Sequence, residues 1–416
     1  MPARYAITEL PKRYHQAIVD WQRANFKDYQ FLIDNWHKYY QQDPFRLVAK
    51  VGEVPEQIEV GSRTGKPKFE KAHQMKGNMF FTCAAIVKAQ ASTEFGSIQQ
   101  HRQTVDQAID DETRFDILRI MAEELRHGYQ MCWVMAHDDW TCGGSDIAKE
   151  TVEELLAMET GKHVLDSFNI PFDCFLDPVT YASVIDRVGK YQLTMQKVFA
   201  YKPMSASMAP MLQEESFHMA SGVNPLKKIA AMAADEKGHF SIHEMQRHFN
   251  KWFARGLEMF GNETGGGTNV QYGFKSMANG EAQELFIREV QDQVIDPINL
   301  EILKVRKKGE VDRASAKEIA RRVLRTREPE PGIRPDELLH LPDPRFLRKR
   351  GVHAWAMVTP MGDAVRTLED FDRELAKALP DRYLATEDFK TYRRQLGEHV
   401  AGAAGGGEAG GAGFRV

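Results

Sequence analysis

Glu124 and His127 are the residues whose types and spacing most directly suggest chemistry. They stand three positions apart in Met121–Gln130, so on a helix both side chains share one face, with Cβ atoms about 5–6 Å apart. Apolar residues such as Ile120 and Met131 occupy the rest of that face. A carboxylate and an imidazole are costly to bury without a partner. A metal ion suits both groups, so this helix is predicted to carry metal ligands.

A second acid–imidazole pair and two single acids repeat the plan. Glu94 lies 30 residues before Glu124, and Asp186 lies 29 residues before Glu215. Ligands that meet at mid-height on adjacent antiparallel helices need roughly 25–33 residues between them, given the rise per helical residue. A dinuclear carboxylate site in a four-helix bundle takes one acid from each of two helices and a Glu-x-x-His from each of the others. The predicted metal ligands are Glu94, Glu124, His127, Asp186, Glu215 and His218.

Glu-x-x-His by itself is a weak signal, because a single pair of this kind is more often a solvated surface pair. The sequence holds three more such pairs: Glu70/His73, Glu236/His239 and Glu337/His340. No acid lies between residues 187 and 213, so Glu236 lacks an upstream partner. Glu337 falls in a Pro-rich segment, and the nearest partner for Glu70 is Asp43, which a proline follows, so a mid-helix position is disfavoured there. These pairs are expected to lie outside the site.

Charge and ligand chemistry narrow the choice of metal. The four carboxylates carry four negative charges, which two divalent ions would cancel. Mixed carboxylate–imidazole ligation with open positions suits iron or manganese better than zinc, and iron if the chemistry involves O2. Gln90, one turn before Glu94, is predicted to line the site, with a hydrogen-bonded core amide as the alternative. Gly189, one turn after Asp186, is predicted to leave room for substrate or O2, with close helix packing as the alternative.

Composition excludes several classes of protein. With 42% hydrophobic and 27% charged residues the chain is typical of a soluble globular protein, and its net charge of -4 argues against bulk nucleic-acid binding. No apolar run approaches the ~20 residues that span a bilayer, and no signal peptide is evident, so we expect no membrane association and a cytoplasmic location. The four cysteines form no CxxC pair, which gives a zinc-ribbon or thioredoxin-type site no support.

Helical periodicity predicts an all-α fold, a four-helix bundle with additional helices and a small C-terminal α+β extension. The predicted division is an N-terminal helical and irregular segment (1–68), a metal-binding helical domain (69–327), the extension (328–400) and a Gly/Ala-rich disordered tail (401–416). Asp110-Asp111 is expected to cap the helix that bears Glu124. Residues 226–260 are expected to continue helically, and Val352–Pro360 has the pattern of a strand.

Several motifs resemble those of one enzyme family. The stretch Glu214-Glu215-Ser216-Phe217-His218 is similar to the fourth-helix signature of the catalytic subunit of phenylacetyl-CoA epoxidase. The stretch Asp186–Leu193, and the spacing of Gln90, Thr93 and Glu94 before Glu124, are more similar to the oxygenase component of benzoyl-CoA epoxidase. So are the segments 341–349 and 359–363. The chain thus resembles the ferritin-like di-iron oxygenases that epoxidise aromatic acyl-CoA thioesters.

The resemblance implies a ferritin-like bundle in which the six predicted ligands hold two Fe ions. It further implies an aromatic acyl-CoA substrate of the benzoyl-CoA or phenylacetyl-CoA type and addition of one oxygen atom of O2 to the ring. Electrons would come from NAD(P)H through a separate flavin and iron–sulfur reductase. A homodimer is one assembly that the sequence permits. The alternatives are another ferritin-like di-iron oxidase, an N-oxygenase, a radical-generating subunit with Tyr129 as the radical site, or a non-catalytic scaffold subunit.

Overall fold

Helices dominate the chain, as a computed structural model that describes residues 5–405 shows. In chain order the helices are α1 (Lys12–Asn25), α2 (Tyr29–Asp34), α3 (Trp36–Tyr39), α4 (Asn78–His101), α5 (Asp111–Ala136), α6 (Ile147–Leu156), α7 (Leu176–Gln196), α8 (Lys202–Ala234), α9 (Ile242–Met259), α10 (Gly267–Gln271), α11 (Asn279–Val290), α12 (Asp296–Arg306), α13 (Arg313–Thr326), α14 (Leu368–Ala378), α15 (Asp381–Leu384) and α16 (Glu387–Gly405). A π-helical turn, Gln291–Ile295, joins α11 to α12.

Four long helices form the bundle. The helices α4 and α5 pack together as one pair, α7 and α8 pack as the other, and α5 contacts α8 between the pairs. Short connections join the members of each pair, so each pair runs antiparallel. The helix α9 packs on α7, and α12 packs on α8. The predicted all-α bundle with additional helices is therefore confirmed.

The remaining regular structure is slight. The strands β1 (Ala6–Thr8) and β2 (Ala49–Val51) pair antiparallel, as do β3 (Thr141–Cys142) and β4 (Ser145–Asp146). One apolar core runs through the described chain, from Leu10 to Leu396. The division of the chain at residues 68 and 327 stays a prediction.

Two stretches differ from their sequence patterns. The helical pattern of 226–260 is interrupted, because α8 ends at Ala234, Glu236 adopts a positive φ of 58°, and Ser241 starts α9 with a capping box. In the C-terminal extension, Val352–Pro360 forms turns, and the β component is limited to two isolated bridges, Glu330–Ile333 and Val358–Ala364. A strand needs a neighbour of matching length, and no described segment lies alongside this one as a strand. The helix α16 covers 401–405, and the rest of the predicted tail lies outside the described residues.

The described helices include none with the length and apolar character needed to cross a bilayer.

Asp110 caps α5 as the sequence predicts. Its carboxylate accepts hydrogen bonds from the backbone N–H of Thr113 at 2.7 Å and from the Thr113 hydroxyl at 2.6 Å. This bond satisfies one of the N–H groups left free at a helix start. The cap also fixes where α5 begins, and hence the height of Glu124 in the bundle.

The first prediction concerns this cap. We expect Asp110→Ala to lower the free energy of unfolding by about 0.5–2 kcal/mol, because the first turn of α5 loses its side-chain acceptor. Chemical denaturation monitored by circular dichroism would measure the change. Asp111→Ala is the matched control, since Asp111 lies in the first turn without serving as the cap. An equal loss in both variants would contradict the role of Asp110.

Candidate metal centre

Each bundle helix contributes to one cluster of buried polar side chains. Glu94 comes from α4, Glu124 and His127 from α5, Asp186 from α7, and Glu215 and His218 from α8. Each of the six is at most 5% exposed. The structure therefore brings together all six residues that the spacing of the sequence selected.

The two imidazoles face the carboxylates with the same ring nitrogen. His127 Nδ1 lies 3.8 Å from Glu94 Oε2, 3.8 Å from Glu124 Oε2 and 3.7 Å from Glu215 Oε1. His218 Nδ1 lies 3.6 Å from Glu124 Oε1 and 3.7 Å from Glu215 Oε2. Glu124 and Glu215 therefore each present one oxygen to each imidazole, which is an arrangement suited to carboxylates that bridge two ions.

Asp186 completes the second half of the cluster. One donor atom from each of Glu124, Asp186 and His218 lies within 4.8 Å of the others, and the same holds for Glu94, Glu124 and His127. Each of these two triads, which share Glu124, could hold a cation. This arrangement matches the carboxylate-rich dinuclear sites of helix bundles.

Several donor atoms in the cluster have no hydrogen-bond partner in the described chain. They are His127 Nδ1, His218 Nδ1, Asp186 Oδ2 and Glu215 Oε2. A buried polar atom without a partner costs about 1–3 kcal/mol. All four atoms belong to the predicted ligands, and a shared cation would be a partner for all of them. The residues present therefore fit a metal centre.

A second carboxylate holds the far nitrogen of each imidazole. His127 Nε2 lies 2.9 Å from Glu214 Oε2, and His218 Nε2 lies 3.1 Å from Glu123 Oε2. The pairing is crosswise, because each imidazole is held by a glutamate of the other helix: His127 of α5 by Glu214 of α8, and His218 of α8 by Glu123 of α5. A carboxylate at Nε2 fixes the ring and its tautomer so that Nδ1 is free to bind metal.

Arginines hold these outer carboxylates in place. Arg126 Nε donates to both oxygens of Glu214, at 2.7 and 3.0 Å, and Arg119 Nε donates to Glu123 at 2.9 Å. Lys50 adds a contact of 2.6 Å to Glu214. The sequence analysis missed Glu123 and Glu214, although the repeated Glu-Glu-x-x-His could have indicated them.

Burial and mutual repulsion dominate the electrostatics of the inner acids. Burial, with the neighbouring carboxylates, raises the pKa of Glu124, Asp186 and Glu215 well above the ordinary range. Burial alone would raise the pKa of Glu94, but the neighbouring Glu124, His127 and Gln90 side chains lower it. The metal-free cluster therefore holds protons that divalent cations would displace.

Gln90 and Gly189 both border the cluster. Gln90 Nε2 donates to Glu94 Oε1 at 2.8 Å, and a Cβ at Gly189 would lie 3.4 Å from Glu215 Oε1. Both residues line a cavity of about 30 Å³, roughly the share of one water in the liquid. The other lining residues are Thr93, Glu94, Ser97, Glu124, Phe168, Tyr181, Ile185, Asp186, Glu215 and Met259. Phe168 and Met259 come from outside the four bundle helices, which no spacing rule anticipates.

The other candidates of the sequence analysis lie elsewhere. Glu70 pairs with Lys202 at 2.8 Å, while Glu236 and Glu337 contact Arg306 at 3.6 and 3.2 Å. Tyr129, the candidate radical site, and Arg187, the residue after Asp186, bond to partners other than the predicted ligands. The Tyr129 hydroxyl accepts from the backbone N–H of Leu10 and contacts His15 Nδ1, and Arg187 binds Glu289 and Gln293.

Comparison with known proteins gives one relationship. The chain is similar to "Benzoyl-CoA oxygenase component B" of Aromatoleum evansii, with 24% identity over 183 residues. The match covers 44% of this chain and 37% of the relative, so it spans little more than a third of the relative's length. No protein-family model matches the chain. The similarity supports a relation to that oxygenase family.

The outer carboxylates give a second prediction. We expect Glu123→Gln to weaken metal binding by about 10–100-fold, because His218 loses its charged partner. Isothermal titration of the metal-free protein with Fe²⁺ under anaerobic conditions measures the affinity. Glu150→Gln, which removes an exposed acid on α6, is the control and should bind as the wild type does. Unchanged affinity in Glu123→Gln would contradict the positioning role.

The raised pKa of Glu215 gives a third prediction, for the metal-free protein. A folded-state pKa above the unfolded value contributes stability at low pH that is lost as pH rises through the folded pKa. Glutamine does not titrate, so the stability of Glu215→Gln relative to wild type should increase as pH rises from about 4 towards 8. Thermal melts across this range, with a chelator present, would test it. A constant difference would show that Glu215 has the same pKa in the folded and unfolded protein, and would contradict the prediction.

Proposed function

We propose that this chain is the oxygenase component of a di-iron monooxygenase that epoxidises the aromatic ring of an acyl-CoA thioester. The convergence of the two Glu-x-x-His pairs with Glu94 and Asp186 is the observation that carries the proposal. The similarity to a protein named as a benzoyl-CoA oxygenase component supports the reaction class. Substrates of the benzoyl-CoA or phenylacetyl-CoA type are the ones to test.

In this proposal Glu94, Glu124, His127, Asp186, Glu215 and His218 hold two Fe ions. Their four carboxylates balance two divalent charges, and Glu124 and Glu215 each have an oxygen for both halves of the cluster. When bound, the ions supply the electrons that let O2 give one oxygen atom to the ring and the other to water. The crosswise partners Glu123 and Glu214 keep both Nδ1 atoms directed at the ions.

Gln90 and Gly189 act at the cavity. Gln90 donates to Glu94 and is only partly buried, so it stands between the ligand and the outside of the bundle. Gly189 leaves the Glu215 carboxylate uncovered on the α7 side. A cavity of about 30 Å³ is too small for an aromatic ring, so lining side chains such as Phe168 or Met259 move when substrate enters. Their apolar surfaces then exclude water from the reacting atoms.

Electrons reach the centre from outside the chain in this proposal. The four cysteines are Cys83, Cys132, Cys142 and Cys174, and their spacing fits no iron–sulfur cluster. The relative is named as a component, which is consistent with a separate NAD(P)H-dependent flavin and iron–sulfur reductase. A cytoplasmic location belongs to the same proposal.

The fourth prediction tests the reaction. Protein reconstituted anaerobically with Fe²⁺ should bind about two irons per chain, as the two cation sites of such bundles require. After chemical reduction, the iron-loaded protein should convert benzoyl-CoA or phenylacetyl-CoA to a product that carries one added oxygen atom. With isotopically labelled O2, mass spectrometry should find one labelled atom in that product. Both iron and product should be lost in Glu124→Ala and His218→Ala.

The matched control uses a Glu-x-x-His pair outside the cluster. The double variant Glu236→Gln, His239→Gln should retain iron and product, because the Glu236 carboxylate pairs with Arg306 just after the end of α8, away from the cluster. If the wild type binds iron but yields no oxygenated product from either thioester, the metal centre stands and the epoxidase reaction is contradicted. Absence of bound iron in the wild type would contradict both.

A further inference from the structure

We propose that Tyr181, Trp252 and Cys174 form a relay that carries oxidising equivalents from the metal centre to the protein surface when substrate is absent. The relay rests on the proposed function, because only a centre that reduces O2 generates such equivalents. Its purpose would be protective: a centre that has taken up O2 without a ring to oxidise otherwise damages its own ligands.

The inner end of the relay lies in the cavity of the metal centre. Tyr181 lines that cavity together with Glu124 and Asp186. Its ring meets the Trp252 indole edge to face, with centroids 5.2 Å apart, and both side chains are buried. Phenol and indole are the aromatic side chains most easily oxidised, and rings in contact exchange electrons readily. The pair therefore leads away from the ligands into α9.

A buried carboxylate links the indole to the outer half of the relay. Asp177 Oδ1 accepts a hydrogen bond from Trp252 Nε1 at 2.9 Å and lies 2.8 Å from His248 Nδ1. The Lys251 ammonium contacts the same oxygen at 2.5 Å. Loss of an electron from an indole leaves a positive charge on the ring and makes its N–H acidic. The fixed carboxylate of Asp177 at Nε1 offsets that charge, whereas the Lys251 ammonium, 4.9 Å from the centre of the indole ring, opposes it.

The outer end is a thiol with its own proton acceptor. Cys174 Sγ lies 3.5 Å from His248 Nε2 and is partly exposed. The carboxylate at Nδ1 favours the tautomer with its proton there, so Nε2 is free to accept the thiol proton. Burial raises the pKa of Cys174 to about 12, so the thiol is protonated at rest. Removal of its electron therefore goes with transfer of its proton to His248.

The chemistry balances with a small external thiol as reductant. The Cys174 thiol and that thiol together lose two electrons and two protons and form a mixed disulfide, a reversible product. The electrons pass inward through Trp252 and Tyr181. With two protons they reduce the unused oxygen atom of O2 to water. One mixed disulfide therefore forms for each oxygen atom discharged without substrate.

Two other readings of the outer cluster are less well supported. Cys174, His248 and Asp177 could hold a metal ion, but the Lys251 ammonium already occupies the carboxylate oxygen. They also have the order of a nucleophile, its base and the group that orients the base. A nucleophile would have no use for Trp252 or Tyr181, so the contribution of Trp252 separates the relay from an acyl-transfer site.

The test follows a covalent mark on Cys174 rather than turnover. Full-length protein reconstituted with Fe²⁺ is reduced, freed of reductant and exposed to O2 with glutathione and without acyl-CoA. Peptide mass spectrometry then quantifies glutathione on Cys174 and Cys142, while an electrode records O2 consumption. We expect the mark on Cys174 to exceed that on Cys142, although Cys142 is the more exposed thiol. Metal-free protein exposed to O2 and glutathione in the same way should carry no glutathione on Cys174.

Trp252→Phe should lose most of the mark, because phenylalanine keeps the ring packing but resists oxidation. Trp133→Phe is the matched control and should retain the mark, since Trp133 stacks on His137 outside the relay. The thiol oxidant diamide with glutathione, applied to metal-free protein, should mark Cys174 equally in Trp252→Phe and wild type. That result shows that the variant is folded and its thiol accessible.

Three results would overturn the relay. Equal marking of Cys174 in Trp252→Phe and wild type, with O2 consumed, refutes it and leaves the di-iron function standing. Transfer of the acyl group from benzoyl-CoA to Cys174 in metal-free protein identifies the cluster as a nucleophile instead. Failure of the wild type to bind iron or consume O2 refutes the relay together with the proposed function.

Discussion

The burial of four carboxylates against two imidazoles is the constraint on which the rest of this structure depends. Such a cluster is unfavourable on its own terms, since every acid raises the cost of ionising its neighbours. Burial is the larger cause that raises the pKa of Glu124, Asp186 and Glu215, and the neighbouring carboxylates raise it further. Either protons or cations must supply the missing charge. The bundle is therefore a scaffold whose interior is completed by what it binds, and its stability is linked to that binding.

The spacing of the ligands could be predicted because it follows from helix geometry alone. A fixed rise per residue and a short connection determine how far apart two residues at one height must lie in the chain. The same local reasoning located the cap at Asp110, where the side chain bonds Thr113 three residues on. The spacing rule also distinguishes the two ligand pairs, Glu124/His127 and Glu215/His218, from Glu236/His239. In the structure Glu236 lies outside the cluster and pairs with Arg306.

What escaped prediction depends on contacts between distant elements. Glu214 binds His127 from another helix, and no local pattern tells which turn of α8 faces which turn of α5. Phe168 reaches the cavity from the segment between α6 and α7, where side-chain direction follows from tertiary packing. The strand pattern of Val352–Pro360 failed for a related reason. Alternation indicates a half-buried surface, but a strand forms only where a partner exists, and here only Val358 finds one.

The two halves of the centre differ in ways that give the site a direction. Glu94 receives a hydrogen bond from Gln90, whereas Asp186 has an oxygen without a partner and a side chain one methylene shorter. On the next turn of α7, Gly189 removes a further side chain beside Glu215. Both differences open space beside α7, and the cavity lies between α7 and α4, which contribute four lining residues each. If the centre reacts with O2 and a ring, we expect both to enter between α4 and α7, while the hydrogen bond from Gln90 keeps the Glu94 ligand in place.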